Sequence, residues 1–106
     1  MTGMESLSYE FQGHRQVLPF EPVLVGVVAS GNLEVLVEAA AAQVCAAQVQ
    51  TSASGFAPIW AAVLQDSHER HGLKGLLISI HDMGATPAVV SLRLDQAVAG
   101  LRKAAP

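Results

Sequence analysis

The 106-residue sequence predicts an α+β fold, a two-layer sandwich in which a mostly antiparallel sheet carries two helices on one face. Three observations predict it. The first half consists of short β-branched or alternating runs separated by turn residues. The second half holds two stretches whose apolar residues recur at helical spacing. One nearly continuous apolar run lies between those two stretches.

In chain order, Leu7 to Phe11 alternates apolar and polar side chains, the period of a half-buried strand, and Gln12-Gly13-His14 reads as a turn. Arg15 to Pro22 holds two prolines and little periodicity, so it reads as a loop into a strand over Val23 to Ala29. Gly31-Asn32 suits the positive φ angles of a primed turn, which would make Val23–Ala29 and Leu33–Val37 a hairpin with Ser30 at its tip. On the second of these strands Leu33, Val35 and Val37 share one face, and Glu34 and Glu38 mark the other as solvated. Ala39 to Gln43 is ambiguous, and Val44 to Gln50 reads as a strand returning antiparallel.

From Phe56, apolar residues at Ile59, Trp60, Val63 and Leu64 form the stripe of an amphipathic helix that Gly72 ends. Leu73 to Ile80 suits a central strand covered on both faces. Thr86 fits an N-cap and Pro87 the first helical position. Val90, Leu94, Ala97, Val98 and Leu101 form the stripe of this last helix, with Arg102 and Lys103 at the negative end of its dipole. There are no repeats or linkers, and residues 1–106 read as one domain.

Composition narrows the function. Hydrophobic residues make up 51% of the chain and charged ones only 14%, and the mean hydropathy is +0.38. That is more apolar surface than a small domain easily hides; it points to a face covered by a partner, with an excess made up mostly of alanine, as in Ala39 to Ala42 and Ala46-Ala47, as the alternative. A net charge of -3 with scattered basic residues argues against nucleic acid and anionic membranes as partners. No apolar run is long enough to span a bilayer, and Met1 to Glu5 has no signal-peptide pattern, so a cytoplasmic protein is expected whether translation begins at Met1 or Met4. The one cysteine, Cys45, lies in an apolar stretch and reads as a buried, inert thiol.

Few residues point to chemistry. Asp66-Ser67-His68 lacks the leucine of the Asp-Ser-Leu motif of helical acyl carrier proteins and lies late in a helix. The G-x-S-x-G elbow fails around Ser30, with Val28 and Asn32 at the glycine positions. His68-Glu69-Arg70-His71 is not the H-E-x-x-H arrangement that sets two imidazoles on one helical face, and it reads as a solvated helix end, so no metal is expected. His81-Asp82 follows a buried strand; Asp82 suits fixing the turn and His81 capping backbone groups, with a functional or partner-binding role as the alternative. No acid/base pair or phosphate-cradling loop suggests an independent enzyme.

Three segments nonetheless carry a resemblance. V-G-V-V-A-S-G-N-L-E-V-L (Val25–Leu36), V-Q-T-S (Val49–Ser52) and I-H-D-M-G-A-T-P (Ile80–Pro87) together resemble the acyl-carrier (delta) subunit of malonate decarboxylase, over a span from about Met4 to the last helix. The resemblance implies that Ser30 carries a covalent 2'-(5''-phosphoribosyl)-3'-dephospho-CoA, supported by the backbone N–H groups of Gly31 and Asn32. It further implies that the thiol of this group holds acetyl and malonyl thioesters while malonate is converted to acetate and carbon dioxide. The implied partners are the acyl-transferase and decarboxylase subunits of the same complex and a prosthetic-group transferase, with no catalytic residue on this chain. Two alternatives stand beside it: the acyl-carrier (gamma) subunit of citrate lyase, and a non-carrier structural subunit in which Ser30 is only a turn residue.

Overall fold

The computed structural model describes residues 5–16, 20–26, 33–40, 44–52 and 55–104, with the backbone alone for 100 and 102–104. The elements run β1 (Glu5–Gln12), β2 (Arg15–Gln16), β3 (Val23–Val25), β4 (Leu33–Ala39), β5 (Val44–Thr51), α1 (Ala57–His71), β6 (Leu73–Lys74), β7 (Leu76–Asp82) and α2 (Pro87–Ala104). Five strands form one sheet in the order β1-β5-β7-β4-β3, and β2 and β6 form a short parallel ladder beside it. Three of the four pairings in the main sheet are antiparallel and the β5–β7 pairing is parallel. The α+β sandwich expected from the sequence is the fold observed.

Alternation decides which face is buried. Leu33, Val35 and Val37 of β4, Cys45, Ala47 and Val49 of β5, and Leu76, Ile78 and Ile80 of β7 all point to one side, where both helices cover them. Trp60 and Leu64 of α1 and Val90, Leu94, Ala97 and Leu101 of α2 complete this core. Fully burying each large aliphatic side chain is worth about 1.5–3 kcal/mol. The predicted α2 stripe is thus the buried one, and the Thr86 hydroxyl accepts from the N–H of Val89 at 3.3 Å, as an N-cap should. Gly72, at φ +63°, takes the left-handed position that ends α1, and its carbonyl accepts from both His14 and Arg15. Burial raises the Cys45 thiol pKa to about 11, which keeps it protonated and unreactive.

Four expectations are corrected. Arg15 and Gln16, read as the start of a loop, form the short strand β2, because they pair with Leu73 and Lys74 far along the chain. The run from Leu73 to Ile80 is not one strand: Gly75 breaks it, Leu73 and Lys74 pair with β2, and Leu76 onward enters the main sheet. β7 is central but covered on one face only, because both helices lie on the same side, and His81 on its other face is exposed. β5 does run antiparallel to β4, yet the two are not neighbours. The α1 crossover returns the chain parallel to β5, and β7 pairs with both β5 and β4.

The described part of β3 ends at Val25, short of the expected Ala29. A two-residue turn at Gly31-Asn32 sets Ser30 opposite Leu33 and, counting outward, Val25 opposite Glu38. The observed register puts Val25 opposite Val35, so it does not follow from that turn. Ser30, Gly31 and Asn32 themselves lie outside the described residues, as do 41–43 within the stretch the sequence left ambiguous.

Candidate functional site

The three segments singled out in the sequence meet at one end of the sheet. Leu33, which opens β4, is the register partner of Asp82, which closes β7, and Asp82 is in turn the partner of Thr51 at the end of β5. One residue earlier on β7, His81 lies between Glu34 and Gln50 on the open face. Each segment therefore supplies one side chain to the helix-covered face and one to the uncovered face.

On the covered face Asp82 is 3% exposed and fully engaged. Its Oδ2 accepts from the Thr51 hydroxyl at 2.7 Å, and its Oδ1 accepts from the N–H groups of Gly84 and Ala85 at 3.1 and 2.7 Å. The carboxylate closes the Asp82–Ala85 turn that delivers Thr86 and Pro87 to α2, the role the sequence suggested. Among the described residues His81 makes no hydrogen bond to a backbone group. Its Nδ1 lies 3.5 Å from Oε1 of Glu34 across the strand pair, an ion pair when the imidazole is protonated. Neither residue belongs to a metal site: among the described residues no three His, Cys, Asp or Glu side chains are placed to hold one.

Behind this strand end lies an apolar cleft of about 250 Å³ between the starts of the two helices, walled by Phe56, Trp60, Val63, Ala85 and Val90 with Asp82 at its polar edge. Phe56, Ile59 and the neighbouring Met83 are each nearly half exposed, which accounts for part of the apolar excess in the composition.

Beside β3, Gly26 adopts φ +78°, and a Cβ there would stand 2.5 Å from the Leu33 carbonyl oxygen and 3.2 Å from Cζ and Nε of Arg93 on α2. Gly26 and Leu33 are the two residues that flank 27–32. The foot of the segment holding Ser30 is thus narrow and has a guanidinium against it, whose Nε is shielded from solvent and has no hydrogen-bond partner. No local pattern marks this arrangement, because an arginine on a helix reads as part of a solvated face.

Comparison with known proteins bears on the same residues. The family model of the malonate decarboxylase delta subunit (MdcD), an acyl carrier protein, matches residues 21–101. The chain belongs to this family. A malonate decarboxylase acyl carrier protein of Burkholderia cepacia is 64% identical over 98 residues, covering 92% of this chain and 91% of the relative. One of Stenotrophomonas maltophilia (strain K279a) is 53% identical over 105 residues, covering 97% and 99%. Among solved structures, a chain of a Pseudomonas malonate decarboxylase hetero-tetramer in complex with malonate superposes with a TM-score of 0.82 at 43% identity, over 92% of this chain and 99% of that one. The resemblance carried by the three segments is therefore a true family relationship, and the delta subunits are carriers, not enzymes.

The remaining sequence candidates fall into place around this delta-subunit fold. Ser67 is buried in α1, where no modifying enzyme reaches its hydroxyl, and Asp66 pairs with Arg70 one turn on. The end of α1 is not simply solvated. The His68 ring stacks on Phe11, with centroids 5.1 Å apart, and its Nε2 lies 2.6 Å from the Gln12 carbonyl. Arg70 and His71 both reach Asp95 of α2, at 2.8 and 3.0 Å. The cluster is a clasp joining α1 to β1 and to α2. Among the described residues no helix is long and apolar enough to cross a membrane.

The clasp has a pH signature. Partial burial pushes the Asp95 carboxyl up, but hydrogen bonds from His71 and Arg70 and the Arg70 charge outweigh it and hold the group below the usual carboxylate range. Its contribution is thus complete above the unfolded-state value and lost as pH falls through the lower folded one. Because the side chains at the bridge are about 40% exposed, solvent screening limits this to about 1 kcal/mol or less. Asp95→Asn should lower stability by that amount at neutral pH and flatten the acid limb of the stability curve measured by urea unfolding between pH 3 and 6. An acid limb identical to that of the parent rules the clasp out as its source.

Proposed function

We propose that this chain, acting as one carrier domain over residues 1–106, is the acyl carrier of a malonate decarboxylase and that Ser30 is the anchor of its covalent 2'-(5''-phosphoribosyl)-3'-dephospho-CoA. The observation that carries this reading is the convergence at one sheet end of the three segments that resemble the delta subunit. Leu33 of the serine-bearing segment is held in register with Asp82, and Asp82 with Thr51. Two stiff, paired strands therefore bear the flank of the anchor.

The residues present fit a polyanionic group. The two acidic side chains on the strands next to the anchor are already committed, Asp82 to Thr51 and two backbone N–H groups and Glu34 toward His81 on the other face; Glu5, in register with Thr51, stands away from the anchor on the edge strand β1. A guanidinium without an acidic partner, that of Arg93, stands at the foot of the segment. When bound, the group supplies a thiol on a long arm, suited to holding acetyl and malonyl as thioesters while malonate loses carbon dioxide. This chain's own contribution is mechanical: a hydroxyl to esterify, a rigid base for it, and apolar surface at Phe56, Ile59 and Met83 for the acyl-transferase and decarboxylase subunits that perform the chemistry. Gly31 and Asn32, next to the anchor, have backbone N–H groups to offer the new phosphodiester.

Intact mass and peptide mapping of the protein purified from cells that also make its transferase and partner subunits test the reading. The expected result is a phosphoribosyl-dephospho-CoA increment on the Ser30 peptide. An unmodified Ser30 in a complex that turns over malonate overturns it in favour of a structural subunit.

A further inference from the structure

We propose that Arg93 is a phosphate-binding residue of the carrier, its guanidinium holding a phosphate of the group anchored at Ser30, an inference that rests on the carrier reading above. Arg93 belongs to α2, one position before the buried Leu94, and is itself half-buried. Its head lies against Gly26 at the foot of the anchor segment, where only a residue without a Cβ leaves room between the Leu33 carbonyl and the guanidinium. The other described arginines are committed: Arg70 to Asp66 and Asp95, and Arg15 to the His71 carbonyl. Arg93 has no ion pair among the described residues, and its Nε–H is buried with no acceptor.

A buried donor left unpaired costs about 1–3 kcal/mol, so the site is incomplete as it stands. The missing partner must be an acceptor, and the planar, permanently charged fork of an arginine matches an anion that takes two parallel N–H bonds, a carboxylate or a phosphate; the carrier reading supplies the phosphate. The proposed group brings both a phosphodiester at the serine and the diphosphate of dephospho-CoA. Chain length makes this reachable: Ser30 is three residues from Leu33, and three residues span at most about 11 Å. Arg93 then positions the arm at its root and leaves the thiol end free to travel.

The test compares the loaded and unloaded forms of the full chain, prepared with and without the prosthetic-group transferase, and intact mass establishes loading separately. In ¹⁵N-labelled protein the Nε–H signal of Arg93 is assigned as the one that Arg93→Lys removes from the unloaded form. On loading of the parent protein this signal should move downfield and its hydrogen exchange should slow at least about tenfold, as a charge-assisted bond requires. In the same sample the phosphorus resonances of the group should shift relative to the free group. An Arg93 signal unchanged in position and exchange between unloaded protein and protein shown by mass to be loaded overturns the phosphate role and leaves the carrier reading intact. No mass increment in any preparation that supports turnover overturns the carrier reading, and this inference with it.

Discussion

Ser30→Ala is expected to fold like the parent chain and to abolish malonate turnover in the reconstituted complex. The fold rests on the core between the sheet and the two helices, whose largest fully buried members are Leu33, Leu76, Ile80, Leu94 and Leu101. Ser30→Ala leaves each of those side chains in place and removes one hydroxyl, so stability should change by no more than about 0.5 kcal/mol. Turnover should fall to background, because an acyl carrier without its arm presents no thioester to its partners. Thermal unfolding, intact mass and acetate release on the same preparation check all three parts. A Ser30→Ala complex that still decarboxylates malonate sinks the assignment of the anchor, whatever its stability.

Asp82→Ala is expected to damage the fold severely. It leaves the Thr51 hydroxyl and the N–H groups of Gly84 and Ala85 without this acceptor at a buried strand end. Their combined loss should come to about 3 kcal/mol, a large share of the 5–15 kcal/mol by which domains are stable. For a domain of this size that lowers Tm by about 12–24 °C. His81→Gln, on the open face between Glu34 and Gln50, should cost less than about 0.5 kcal/mol. If Asp82→Ala instead melts with the parent but leaves a loaded complex inactive, the carboxylate serves chemistry and the turn role argued here is wrong.

These expectations draw on both levels of evidence. The helices were legible because their signals are local: the stripe and the Thr86-Pro87 start of α2 lie within a few residues of one another, as does the Gly72 stop of α1. The strands were legible as strands, since alternation on β1 and β4 encodes a half-buried face. Their neighbours were not, because pairing is non-local, and the insertion of β7 beside β4 depends on where the α1 crossover lands. The same limit applied to the site. Ser30 was accessible through its segment's resemblance to the delta subunits. Arg93 carried no signal, because its meaning lies in the closeness of Gly26, 67 positions away.

By itself, then, the sequence determined the α+β class, the buried faces of β4 and α2, the inert cysteine and the family, all of which follow from local periodicity, caps or short segments of fixed spelling. Strand register and helix packing put Leu33, Asp82 and Thr51 in one row, make the cluster at the end of α1 a clasp on Asp95, and set at the foot of the anchor an arginine whose Nε has no partner among the described residues. The physical reason is the same in each case: these are contacts between residues far apart in the chain, fixed by register and helix packing, and no local propensity records them.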